Sequence, residues 1–147
     1  MTLPAEAPAF AGAAATTAPA TQVLESWRPR HHFTPQRHWM NDPNGPVMVD
    51  GVYHLYYQYN PHGDQWGDIS WGHATSADGV HWTEHAVALP CTDTQMVFSG
   101  TVVVDAHNTS GLAPAGFAGR LLVALYTGFD RATQVQSQHL AYSLDGG

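Results

Sequence analysis

Apolar and polar positions alternate over short runs from Trp27 onward, and no segment keeps a helical period long enough to define a helix. The pattern predicts an all-β protein of short strands punctuated by turns. Its clearest element is a hairpin. Val47-Met48-Val49 and the run Val52 to Tyr59 flank Asp50-Gly51, a pair suited to a two-residue turn because both positions tolerate positive φ. The Tyr-rich second strand fits a pleated, half-buried surface. Further strands are predicted at Ile69 to Thr75, Thr101 to Val104, Leu121 to Tyr126 and His139 to Ser143.

A weak repeat organises these elements. Ala74-Thr75-Ser76-Ala77-Asp78-Gly79 returns in outline 67 residues later as Ala141-Tyr142-Ser143-Leu144-Asp145-Gly146. Gly51 to Tyr57 and Gly119 to Leu125, 68 residues apart, both read as Gly followed by an apolar strand. Two different elements recurring at nearly one spacing point to a four-stranded module used more than once, as in a β-propeller. The chain is then expected to hold one complete module and most of a second, about one and a half blades.

Residues 1–26 depart from this pattern. They are rich in Ala, Pro and Thr without apolar period, so a flexible tail is expected ahead of a β-domain spanning 27–147. The tail lacks the basic start and continuous apolar run of a secretory signal: Glu6 stands where positive charge belongs, and the first basic residue is Arg28. A cytoplasmic location is therefore expected, with an extracellular one as the alternative.

Composition narrows the partners. The 147 residues carry 12 Asp and Glu against 5 Lys and Arg, a formal charge of -7. That leaves too few cations to neutralise a phosphate backbone, so nucleic acid is not expected as a partner. No apolar stretch approaches the roughly 18 residues needed to span a bilayer, so no membrane partner is expected. Charged residues make up 12% of the chain, and 44% hydrophobic residues suffice for a core. The single Cys91 has no internal disulfide partner and is read as structural. His31, His32, His38, His62, His73, His81 and His85 are scattered without metal-ligand spacing, and no metal is expected. Asn108-Thr109-Ser110 matches a glycosylation sequon but is read as an Asx-type turn.

The densest polar cluster is Trp39-Met40-Asn41-Asp42-Pro43-Asn44-Gly45. Alone, Asn41 to Gly45 reads as a turn, because Asp and Asn cap their own backbone, Pro fixes φ and Gly supplies positive φ. The flanking Trp39 and Met40 make it a rigid turn that presents a carboxylate, which a nucleophile requires. Gln58 at a strand end, Trp66 in a Gly-rich loop and Phe98-Ser99-Gly100 ahead of another strand add amide, indole and hydroxyl groups of the kind a sugar site uses. Each also has a plain structural reading, as strand cap, core residue or turn.

Taken together, Arg30-His31-His32-Phe33-Thr34-Pro35, the Trp39 to Gly45 cluster, Tyr57-Gln58-Tyr59-Asn60-Pro61, Trp66 to Ala74, Val80-His81-Trp82 and Phe98-Ser99-Gly100-Thr101 resemble glycoside hydrolase family 32 in order and spacing. That family holds the invertases, levanases and inulinases. The resemblance implies a five-bladed β-propeller of which this chain is the N-terminal part, no cofactor, and a fructan or sucrose as substrate. It implies that Asp42 is the nucleophile of a retaining reaction releasing terminal β-fructofuranosyl units. Asn41, Gln58, Trp66, Phe98 and Ser99 match positions that line the fructose subsite.

The sequence departs from the family at two points: the acid/base Glu of a Glu-Cys motif and the Asp of an Arg-Asp-Pro motif are absent from these 147 residues. Glu84 follows a Trp-ended strand and is expected on a solvated edge, so it is not a substitute. The chain is accordingly expected to be incomplete and inactive alone. A fructan-binding propeller fragment and a fructosyltransferase of the same family are the alternatives.

Overall fold

The computed structural model describes residues 28–147, so the expected 1–26 tail lies outside the described residues. Seven strands follow in order: β1 (Met40–Val49), β2 (Val52–Tyr59), β3 (Ser70–Ser76), β4 (Thr83–Glu84), β5 (Gln95–Val104), β6 (Leu122–Asp130) and β7 (Gln136–Ser143). They pair antiparallel in two sheets, β1-β2-β3-β4 and β5-β6-β7. These are consecutive propeller blades, one of four strands and one with three strands among the described residues. No helix among the described residues is long and apolar enough to cross a membrane.

The predicted hairpin forms where expected. Asp50 and Gly51 take φ of 49° and 85°, the two left-handed positions that a type I′ turn requires. Asn41 to Gly45 differ from the turn they resemble in isolation, because they lie inside β1. Pairing holds at Pro43↔Tyr57 and Asn44↔Tyr56, and the register breaks on both sides of that pair. The bends that Asp, Pro and Gly favour are thus spent as two bulges within a strand rather than on a chain reversal. β5 has a similar break between Val97 and Gly100. It hides the strand's first half from a period-2 reading, which placed the start at Thr101.

The repeat is physical. Ser76 Oγ donates to Asp78 Oδ1 at 3.1 Å and accepts the Gly79 amide at 2.8 Å. Ser143 Oγ donates to Asp145 Oδ1 at 2.6 Å and accepts the Gly147 amide at 2.9 Å. The same Ser-x-Asp-Gly turn therefore ends the third strand of each sheet.

Between the sheets lies one apolar cluster. Tyr56, Trp71 and Leu89 face Val97, Val102, Leu122, Ala124, Tyr126 and Ala141. Trp71 has no exposed surface, and its indole N–H still finds an acceptor, the Phe98 carbonyl at 3.0 Å. Contact is closest at Gly45, whose φ of 48° excludes most residues and where an added Cβ would run into Val102.

The Tyr-rich β2 is buried on both faces rather than one. Behind it, Tyr57, Tyr59 and Ala74 pack with Phe33, Met40, Trp82 and Val87. Glu84 lies on the edge strand as expected, yet it is half-buried rather than solvated. It accepts the Tyr57 hydroxyl at 3.0 Å and the Gln36 amide at 3.0 Å, joining the segment before β1 to the sheet.

Candidate active site

Asn41, Asp42, Gln58, Trp66, Phe98 and Ser99 line one open depression of about 290 Å³, together with Thr127 and Gln136. Up to 58 residues of sequence separate the first six, and both bulges are used. Asn41 and Asp42 project from the first bulge of β1, Phe98 and Ser99 from that of β5. Bulges re-aim side chains that a regular strand would send alternately to opposite faces.

Each group is oriented by a specific contact. Ser99 Oγ donates to Asp42 Oδ2 at 2.7 Å, a charge-assisted bond to an exposed carboxylate. Gln58 does more than cap a strand end. It is buried, and its Nε2 donates to the Val97 carbonyl across the seam at 3.0 Å. Trp66 is not core: it is 59% exposed, its edge 6.3 Å from the Phe98 ring centroid. Phe98 in turn stacks on Phe129 at 5.0 Å, so three rings form a stepped apolar wall. The loop bearing Trp66 is tied down by Asn60, which donates to the Gln65 carbonyl at 2.8 Å and accepts the His62 amide at 2.9 Å.

Asp42 is the sole carboxylate among the lining residues. An anionic oxygen beside amides, a hydroxyl and aromatic faces suits a neutral polyhydroxylated ligand. Hydrogen bonds can meet the ligand's hydroxyls while the rings cover its C–H surfaces.

Thr127 and Gln136 were not singled out from the sequence. Both lie near the strand ends of the second sheet, and Gln138 Nε2 donates to Thr127 Oγ1 at 3.0 Å. The 68-residue offset lays Thr127 on Tyr59, the last residue of β2. The repeat therefore carried a signal that this strand end approaches the site, though not which side chain faces it.

The histidines are less scattered than the sequence implies. His54, His73 and His85 stack in a row, with ring centroids 5.2 Å and 4.9 Å apart. His54 Nδ1 lies 3.1 Å from His73 Nε2, and His85 Nε2 lies 2.7 Å from Thr75 Oγ1. Burial, with the neighbouring rings of His85 and His54, pushes the His73 imidazole down to about 3. Burial lowers His54 and His85 as well. No three His, Cys, Asp or Glu side chains among the described residues converge to hold a metal ion. The sequon Asn108 has both amide atoms engaged with Ala113, through Nδ2 to the carbonyl and Oδ1 from the amide, each at 2.9 Å.

Comparison with known proteins follows the same outline. The model of the glycosyl hydrolases family 32 N-terminal domain matches residues 32–147. The chain is 47% identical over 139 residues to an extracellular exo-inulinase of Aspergillus niger, covering 84% of this chain and 26% of that protein. It is 50% identical over 123 residues to a levanase of Bacillus subtilis, covering 84% of this chain and 18% of that one. A β-fructofuranosidase from Schwanniomyces occidentalis, solved with fructosyl-erythritol, superposes with a TM-score of 0.74 at 46% identity, over 82% of this chain and 24% of that chain. This chain spans about a fifth to a quarter of the length of the curated relatives it matches.

Proposed function

The chain belongs to glycosyl hydrolase family 32, and on that premise we propose that it is the nucleophile-bearing part of a retaining β-fructosidase. The proposed substrate is a fructan or sucrose, and the product is its terminal β-fructofuranosyl unit. The observation that carries this reading is the single carboxylate of the pocket, with Oδ2 of Asp42 held by Ser99 and no partner on Oδ1. Oδ1 attacks the anomeric carbon, the glycosidic C–O bond breaks, and a covalent fructosyl ester forms on Asp42. Water then cleaves the ester with net retention of configuration.

The departing oxygen needs a proton from a second carboxylic acid about 5–5.5 Å from the first. No second carboxylate lines the pocket among the described residues. The activity is therefore proposed for the longer protein of which this chain would form the N-terminal part. Asn41, Gln58, Trp66, Phe98 and Ser99 are proposed to hold the fructosyl ring. The extracellular exo-inulinase among the relatives supports an extracellular location over the cytoplasmic one expected from the first residues.

The test is fructose release from levan, inulin and sucrose by the full-length protein and its Asp42→Asn variant. Release by the parent and none by a folded variant is the expected result. Unchanged turnover by the variant would remove Asp42 from the role. Ligand binding without turnover by the parent would favour a fructan-binding protein, and transfer of fructose to sugar acceptors at high sucrose a fructosyltransferase.

A further inference from the structure

We infer that Asn44 is a positioning residue, latching the two site-bearing bulges together so that Asp42 and Ser99 stay in register. The inference rests on the assignment of Asp42 as nucleophile and extends it to a residue outside the pocket. Asn44 is 1% exposed and does not line the depression. Its Oδ1 accepts the amide N–H of Gly100 at 3.1 Å, across the seam between β1 and β5. Two residues earlier, Asp42 accepts from Ser99 at 2.7 Å. The two bonds close a ring running Asp42, Pro43, Asn44, Gly100, Ser99 and back to Asp42.

The ring lies where regular pairing gives out. β1 loses its register with β2 between Met40 and Pro43, so the ladder does not hold Asn41 and Asp42. β5 loses its register with β6 between Val97 and Gly100, so Phe98 and Ser99 are equally unheld. A bulge alone leaves its residues free to shift. Asn44 and Gly100 are the first residues on each side where pairing resumes or holds, and their bond joins one bulge's end to the other's. The neighbouring glycines keep the seam tight: a Cβ at Gly45 would press into Val102, and one at Gly100 into the backbone of Leu125 and Tyr126. Asn44 Nδ2 has no hydrogen-bond partner although it is buried. Such an amide is costly to keep, so a hydrophobic side chain would be preferred here if packing were the only demand.

The test uses the full-length protein and crystal structures of the parent and three variants. In Asn44→Ala the contact between Asp42 and Ser99 is expected to lengthen beyond 3.5 Å, with kcat falling about tenfold to a hundredfold while KM changes little. Ser99→Ala should lower kcat, and the double variant should be no worse than about threefold below the lower single variant, because both changes break one ring. Asn44→Asp keeps the acceptor for Gly100. It should hold near-parental kcat at acid pH, where it is a neutral isostere, and lose about tenfold as its ionised form brings a second charge beside Asp42.

An unchanged Asp42–Ser99 contact in Asn44→Ala overturns the inference, as do multiplicative effects in the double variant. If Asn44→Ala does not fold, an Asn44→Asp pH profile parallel to the parent's overturns it. The crystallographic readout needs no activity, so failure of the latch is distinguishable from failure of the fructosidase reading, which rests on Asp42→Asn.

Discussion

The first sheet carries two clusters of polar side chains whose fates are opposite. Asp42 with Ser99 sits at a bulged strand, exposed and hydrogen-bonded. His54, His73 and His85 stack along regular strands, and His54 and His73 are buried. Residue chemistry alone would rank three imidazoles as the better catalytic candidates, since His titrates nearest neutral pH. Environment reverses the order. Stacking out of water holds the rings neutral, so they act as polar core, while the bulge brings a common carboxylate into a pocket. Exposure and backbone irregularity mark the site better than titratable residue type does.

The sharpest way to break this contrast is to exchange the expected outcomes. Asp42→Asn in the full-length protein should cut fructose release by at least about a thousandfold while leaving Tm within error, because the carboxylate is exposed and bears no core contact. A fall in Tm with activity retained would make Asp42 the structural member of the pair. Trp66→Ala comes next. With the ring 59% exposed, the variant should fold normally and raise KM for fructans about tenfold.

The imidazole row should show the converse. The folded-state value of His73, about 3, is depressed below the ordinary value of 6.5. Its contribution to stability is therefore complete above about pH 6.5 and is lost as pH falls toward 3, by up to about 1.4 kcal/mol per pH unit. A series of Tm values from pH 7 to pH 4 should fall less steeply in His73→Phe than in the parent, with kcat near neutral pH unchanged. Equal slopes would show that the row does not govern acid sensitivity. The smallest effect is expected at the surface pair Arg120–Asp50, bidentate at 2.8 Å and 3.0 Å but open to solvent and salt. Arg120→Ala should leave turnover and Tm unchanged within error.

Much of this was legible before the structure. Asp50-Gly51 named its own turn because only a few residue pairs tolerate two left-handed positions. Ser76 and Ser143 disclosed the module repeat because each fastens the same local turn. The lining residues Asn41, Asp42, Gln58, Trp66, Phe98 and Ser99 were legible through their joint spacing, which the family resemblance made specific. Thr127 and Gln136 were not, since a Thr or Gln near a strand end carries no local mark of what it faces. Asn41 to Gly45 were read as a turn because bend propensity does not say whether a bend reverses the chain or is absorbed as a bulge.

The sequence by itself determined the all-β class, the hairpin, the repeat and the set of residues able to bind a neutral sugar. These rest on interactions among near neighbours, whose geometry follows from residue type. Only the tertiary structure decided that two bulges 57 residues apart would meet across a seam, that Asn44 would latch them, and that three histidines would stack in the dark of the first sheet. Contacts between distant segments depend on register and packing, so no local pattern of residues encodes them in readable form.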